Sequence, residues 1–399
     1  MKITDVRTQI VNLNFRNAIV VRVETDEGVT GISETVMKRR TLAIERSILD
    51  LKRYLVGKDP TEIENHWEKM YRDSFWVGGP MHGSAISAVD CALWDILGKS
   101  CKVPVYRLLG GPTRERVLVY SHCPAGPSPE VFAANVRLCA DRGYRAVKTT
   151  LPLFYGSRQA GGNSATESWM GYSGTSGSID PSWKETEYCD PSVFGRIREY
   201  FLAAREAGGA NLGLALDCHG RLGLKAALRL CRILEDLDLM FIEEPVPPEN
   251  ADVLARLQRE TSIPVAAGER WATIYGVREF VEKHSVDILQ CDLVNCGGIT
   301  GMKKIAALAE AHYIPMAPHN PNGPIATAMN VHFAAVIPNF LILETTGSAA
   351  DQTISDELLR DPLMFDDGHL LLPRSPGFGV ELNEAALDKY PYVPCEAWR

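Results

Sequence analysis

The sequence predicts an α/β protein: a closed TIM-type barrel of β/α units, preceded by an α+β domain. Three observations predict it. At 399 residues the chain exceeds what one hydrophobic core usually supports, which favours a large barrel or two packed domains. From Pro112 onward, short β-rich runs alternate with amphipathic helical stretches, the pattern of βα units around a parallel sheet. Eight such runs can be counted, over a span of about 250 residues, the usual size of such a barrel.

Residues 1–58 read as strands ending in the turn Glu24–Gly31, followed by a helix in which Ile44, Leu49, Leu51 and Leu55 recur at roughly helical spacing. Residues 60–110 read as helical. Ile86, Val89, Leu93 and Ile96 form an apolar face there, and the breaker Gly110-Gly111-Pro112 closes the segment. The first domain is therefore expected over 1–115 and the barrel over 116–364. The expected barrel strands are Val117–Tyr120, Ala146–Thr149, Leu212–Asp217, Met240–Glu243, Ile263–Ala267, Ile288–Gln290, Ile314–Ala317 and Phe340–Leu343. Between the second and third lies a long Gly/Ser-rich insertion, about 151–190, carrying Tyr155, Trp169, Tyr172 and Trp183. Its length and aromatics suit an active-site lid or a contact with a neighbouring subunit, and the two are compatible. Residues 365–399 read as an irregular tail returning to the first domain.

Composition excludes several classes. Hydrophobic residues are 45% and charged residues 23%, ordinary values for a soluble chain, and no uncharged apolar run reaches the length of a membrane span. The N-terminus alternates like a strand and carries no signal-peptide pattern. Ten cysteines are too dilute for a disulfide scaffold and suggest thiols in a reducing cytoplasm. A net charge of −8 argues against nucleic acid as a partner. A small anionic substrate remains compatible, because a local metal and a few cations suffice to hold it.

The ionisable residues fall at the strand ends. Asp217 and His219 end the third strand, Glu243 the fourth, Glu269 follows the fifth, Asp292 the sixth, His319 the seventh, and Glu344 the eighth. Strand ends of a barrel open onto one face, and that face carries the active site. Asp217, Glu243 and Glu269 are spaced 26 and 26 residues apart, one βα unit each. They offer a hard, all-oxygen donor set suited to Mg²⁺. A single such acid is as readily a helix cap or a salt-bridge partner. Three at equal spacing in the same strand-end context are not explained that way. Asp292 and His319 on neighbouring strand ends make a carboxylate–imidazole dyad suited to proton abstraction, and His219 is placed to deliver a proton to a leaving hydroxyl.

With these residues in view, the chain resembles the enolase superfamily, and within it the sugar-acid dehydratases of the galactonate and mannonate type in the mandelate racemase-like subgroup. The stretches that carry the resemblance are Asp217-Cys-His-Gly-Arg221, Phe241-Ile-Glu-Glu-Pro245, Ala267-Gly-Glu-Arg270, Cys296-Gly-Gly-Ile-Thr300 and Ala317-Pro-His-Asn-Pro-Asn-Gly-Pro-Ile325. The resemblance covers nearly the full length. It implies a modified (β/α)₇β barrel with a capping domain built from the N-terminal part and completed by the C-terminal tail. It implies one Mg²⁺ per subunit held by Asp217, Glu243 and Glu269, an acid-sugar substrate, and a homo-oligomer between dimer and octamer. The dyad His319–Asp292 would take the C2 proton and His219 would expel the 3-hydroxyl, giving a 2-keto-3-deoxy acid. Glu344 would hydrogen-bond the substrate near the developing oxyanion.

Racemases and cycloisomerases of this superfamily commonly present Lys-x-Lys at the end of the second strand, whereas here the stretch is Lys148-Thr149-Thr150. The missing second lysine disfavours two-base racemisation, and Lys148 is assigned to charge stabilisation of the substrate carboxylate. Mannonate-type enzymes pair a lid tyrosine with an arginine, but Lys148 stands at the arginine position, and Tyr155 and Tyr172 are equal candidates for the tyrosine. Arg40, His82 and Arg270 are further candidates for substrate contacts, against the plainer reading of solvated or structural side chains. A racemase or epimerase acting through the same enediolate, and a catalytically silent sugar-acid binding protein, are the alternatives. Fold alone licenses no reaction.

Overall fold

The computed structural model describes residues 1–14, 16–153, 191–346, 354 and 356–394. Its contacts divide the chain into two compact units. The first contains Met1–Leu118, Glu269–Glu279 and the described residues from Gln290 on. The second contains the described residues of Val119–Gly268 and Phe280–Leu289.

The first unit begins with β1 (Ile3–Asn12), β2 (Asn17–Thr25) and β3 (Thr30–Val36), an antiparallel sheet in that order. Apolar β-branched residues fill β2, and its central run is buried on both faces. The helices α1 (Thr41–Leu55), α2 (Ile63–Arg72) and α3 (Gly79–Ser100) follow, then the short α4 (Val105–Leu108). The buried face of α1 runs through Ile44, Ile48 and Leu55. Leu49 and Leu51, expected on that face, are only half-buried. Ile86, Val89, Leu93 and Ile96 of α3 do enter the core, packed with Ile19, Val21 and Val23 of β2. A Cβ on Gly31 would collide with the Ala92 carbonyl, so β3 and α3 approach backbone to side-chain-free backbone at that point.

The second unit carries the parallel sheet. Along this stretch the chain runs β4 (Arg116–His122), α5 (Pro129–Asp141), β5 (Ala146–Thr150), α6 (Pro191–Gly208), β6 (Gly213–Asp217), α7 (Leu224–Leu234), β7 (Phe241–Glu243), α8 (Ala251–Arg259), β8 (Val265–Ala267), α9 (Thr273–Glu282) and β9 (Ile288–Leu289), with the first three residues of β4 and Thr273–Glu279 of α9 counted in the first unit. Each strand from β4 to β9 pairs in parallel with the next. Local signals set the helix starts: Ser128 caps α5 with Pro129 in its first turn, and the Asn250 side chain accepts from Asp252 N and Val253 N at the start of α8.

The chain then completes the first unit with α10 (Gly298–Ala311), α11 (Pro324–Val336), β10 (Leu343–Thr345), β11 (Phe365–Asp366), β12 (His369–Leu371) and α12 (Glu384–Lys389). Helix α3 caps α10: Ser87 Oγ accepts from Gly297 N and Gly298 N, both at 2.8 Å, and Asp90 accepts from Thr300 N at 3.1 Å. The tail is held on α3 through Asp95, which accepts from Phe378 N at 2.8 Å and from Ile32 N at 2.9 Å.

Six of the expected barrel strands appear within two residues of their expected ends. The last two differ. Ile314–Ala317 is reduced to a single parallel bridge, Met316 with Phe340, followed just beyond it by the bridge of His319 with Asp292, because Pro315 and Pro318 cannot donate to a ladder. The eighth strand starts at Leu343 rather than Phe340. The segment before it is pinned instead by Met316 N to Asn339 O at 2.7 Å and Leu341 N to Met316 O at 2.8 Å. All eight cysteines among the described residues are free thiols, and no described helix is long and apolar enough to cross a membrane.

Candidate active site

In the second unit the strand ends are in register. Thr150 of β5 pairs with Asp217 of β6, and Asp217 pairs with Glu243 of β7, so the two carboxylates stand on adjacent strand ends. Backbone bonds from Leu151 N to Asp217 O at 3.0 Å and from Cys218 N to Glu243 O at 2.9 Å fix that edge. Just beyond, His219 and Glu244 have left-handed backbones, φ 49° and 37°, an unusual state for residues with a Cβ. Such strain clusters where surrounding structure must aim a side chain.

Each carboxylate is matched to a basic group. Lys148 Nζ lies 2.7 Å from Glu243 Oε2, with side-chain exposures of 1% and 0%, so neither charge shares its partner with solvent. The ammonium also sits 5.4 Å from the centroid of the Tyr120 ring. His219 Nε2 is 2.9 Å from Asp217 Oδ2, and the His219 backbone N–H donates to Asp217 Oδ1 at 2.8 Å.

In the first unit, His319 is the centre. Its Nδ1 is 2.8 Å from Asp292 Oδ2 and its Nε2 is 2.8 Å from Glu269 Oε2. Burial by itself lowers the His319 pKa. The charges of Glu269 and Glu344, with hydrogen bonds to Asp292 and Glu269, outweigh it and push the pKa well above the ordinary histidine value. Asp292 Oδ1 also accepts from Val294 N at 2.9 Å. Glu344 is fully buried in β10 and accepts from Asn320 N at 3.0 Å. Arg270 lies 3.4 Å from Glu269 Oε1 and is partly exposed.

The remaining expected contacts are dispersed. Arg40 is exposed at the start of α1. His82, in the first turn of α3, is half-buried with its ring edge-on to Tyr71 at 5.5 Å, and burial lowers its pKa. Tyr155 and Tyr172 lie outside the described residues. Among the described residues no three or more His, Cys, Asp and Glu side chains form a ready metal cage. Glu243, Asp217 and Glu269 each face a basic side chain here. The donor set nonetheless fits Mg²⁺: it is all carboxylate oxygen, and Asp217 and Glu243 stand on paired strand ends.

Three buried neighbours of these residues are not singled out by the sequence alone. Glu34, buried on β3, accepts from Gly323 N at 2.6 Å and from Ile325 N and Ala326 N, both at 3.2 Å, closing the N-terminus of α11 directly after the His319 loop. Burial raises its pKa to about 7 against those bonds. Asn322 donates to both oxygens of Asp292, at 3.3 and 3.2 Å. Arg16 Nη1 meets Asn322 Oδ1 at 3.5 Å. Asn322 was legible as part of the Ala317–Ile325 motif; an arginine leading into the apolar run of β2 was the one signal for Arg16.

The sequence matches the family described as "Mandelate racemase / muconate lactonizing enzyme, N-terminal domain" over residues 3–110, and the one described as "Enolase C-terminal domain-like" over residues 130–386. The chain belongs to the enolase superfamily. Its fold is the superfamily's, an N-terminal cap domain followed by a TIM-type barrel. A D-galactonate dehydratase of Ralstonia pickettii is 37% identical, covering 92% of this chain and 88% of its own. A D-mannonate dehydratase of Rhizorhabdus wittichii is 32% identical, covering 99% and 96%. A solved mandelate racemase/muconate lactonizing enzyme-like protein from Rubrobacter xylanophilus superposes with a TM-score of 0.85 at 32% identity, covering 98% of each chain. The expected hydro-lyase class agrees with the names of these dehydratases.

Proposed function

We propose that this superfamily member is a Mg²⁺-dependent acid-sugar dehydratase, acting on a substrate of the galactonate, mannonate or gluconate kind. The observation that carries the reading is the Asp292–His319 hydrogen bond at 2.8 Å. It commits Nδ1 to Asp292, so the proton-accepting role falls to Nε2, which here meets Glu269 Oε2 at 2.8 Å. Asp217, Glu243 and Glu269 would hold the metal. When bound, Mg²⁺ supplies fixed positive charge for a substrate carboxylate whose charge grows as the alpha proton leaves.

The chain's own residues do the rest. His319, in its neutral form, takes the C2 proton at Nε2, while Asp292 holds the imidazole and stabilises the imidazolium that forms. The C2–H electron pair becomes the C2–C3 double bond as the C3–O bond breaks. His219 delivers a proton to the departing oxygen, so water leaves and the enol tautomerises to a 2-keto-3-deoxy acid. Lys148 offers positive charge to the substrate carboxylate, and Glu344 orders the loop after His319 through Asn320. The lone lysine of Lys148-Thr149-Thr150 supports elimination over two-base racemisation.

Incubating the purified protein and Mg²⁺ with a panel of acid sugars, with 2-keto-3-deoxy product read by semicarbazide absorbance, tests this. Product that vanishes in EDTA is expected. Deuterium incorporation at C2 in heavy water without keto product would instead identify a racemase or epimerase.

A further inference from the structure

We infer that Asn322, oriented by Arg16, is the positioning residue of the Asp292–His319 dyad; this rests on the dehydratase reading above. Both residues are almost fully buried, Asn322 at 4% and Arg16 at 5% exposure. The Asn322 amide is caught between two groups of opposite character. A guanidinium only donates hydrogen bonds and an ionised carboxylate only accepts them. One orientation alone satisfies both: Oδ1 toward Arg16 Nη1 at 3.5 Å, and Nδ2 toward Asp292 at 3.2 and 3.3 Å.

The consequence falls on Asp292. Its Oδ1 accepts from Val294 N and from Asn322, and its Oδ2 from His319 and from Asn322. Held on both oxygens, the carboxylate cannot turn about its own bond, so the His319 ring plane and the direction of Nε2 are set. Asn322 is itself held by the backbone after it, because Gly323 N donates to Glu34 at 2.6 Å. Arg16 stays charged at neutral pH: burial lowers its pKa only to about 10, opposed by Glu344, Asp292, Glu269 and Glu34. The residue leading into β2 thus reaches the dyad through a buried cation and an amide.

The test compares full-length wild type, Asn322→Leu and Asn322→Ser, each alone and in an Asp292→Asn background, all with Mg²⁺. Asn322→Leu keeps the volume and removes the amide; Asn322→Ser is the milder change should the first not fold. A misplaced base lowers kcat by about 10- to 100-fold, with KM within about twofold because ground-state binding is untouched. In the Asp292→Asn background neither change lowers kcat further, since the group being positioned is already gone. A second readout needs no substrate: the hydrogen-bonded Nδ1 proton of His319 in ¹⁵N-histidine-labelled protein, assigned by its loss in His319→Asn. It shifts or broadens in the Asn322 variants. Unchanged kcat in the variants, an equal loss in the Asp292→Asn background, or an unmoved Nδ1 resonance overturns the inference. A wild type that dehydrates no acid sugar overturns the dehydratase reading, and the Nδ1 resonance still decides the role of Asn322.

Discussion

Removing one member of the Lys148–Glu243 pair should cost far more than removing both. The two groups meet at 2.7 Å with side-chain exposures of 1% and 0%, so solvent cannot take over for a missing partner. Lys148→Met takes from Glu243, and Glu243→Gln takes from Lys148, the buried opposite charge at 2.7 Å; each is expected to destabilise by about 3–5 kcal/mol. The double variant Lys148→Met/Glu243→Gln removes both desolvation penalties and should fall within about 1 kcal/mol of wild type. The cycle therefore predicts strong non-additivity, measured by urea unfolding in EDTA at neutral pH and constant ionic strength. A double variant destabilised by the sum of the singles would refute the reasoning, because the pair would then contribute no mutual interaction. Single variants within about 1 kcal/mol of wild type would do so too, since the interior would be solvating each charge alone.

Two further predictions concern the frame around the site. Glu34→Ala strips three buried N–H groups of Gly323, Ile325 and Ala326 of their acceptor, at about 1–3 kcal/mol per orphaned donor before relaxation. Glu34→Gln, which keeps an acceptor oxygen, should lose clearly less in thermal melts; equal losses would show that the helix N-terminus does not depend on Glu34. His332 accepts from Tyr106 N at 3.1 Å and meets Phe378 O at 3.0 Å, which fixes a neutral ring, and burial lowers its pKa to about 4 from 6.5. The folded state then binds fewer protons than the unfolded one between those values, so stability present above pH 6.5 is lost as pH falls toward 4, about 3 kcal/mol in all. Glu34, raised by burial to about 7, acts oppositely: its contribution favours the fold at low pH and is lost as pH rises from 4.5 to 7. The His332 share is isolated by subtracting the profile of His332→Gln; parallel profiles would contradict it.

The sequence makes the strand ends legible where turn residues and hydrophobic alternation mark them, and this is why Asp217, Glu243 and Glu269 can be read as spaced one βα unit apart. It was least legible where prolines interrupt the ladder. Pro315 and Pro318 leave the seventh strand as bridges, and the chain there is held by Asn339 and Met316 rather than by a regular pairing. Side-chain partners far apart in sequence were not legible at all. Arg16 and Asn322 are separated by 306 residues, and nothing local to either names the other. The left-handed backbone of His219 was likewise hidden, since no glycine or asparagine occupies that position to announce it.

The most direct test of C2 proton abstraction by His319 is proton NMR of an acid-sugar substrate in heavy water with Mg²⁺, comparing wild type with His319→Asn. Wild type should convert the substrate to a 2-keto-3-deoxy acid, and His319→Asn should bind the same substrate while losing turnover by about 10²- to 10⁴-fold, the usual contribution of a positioned base. Undiminished product from His319→Asn would contradict the assignment of His319 as the base.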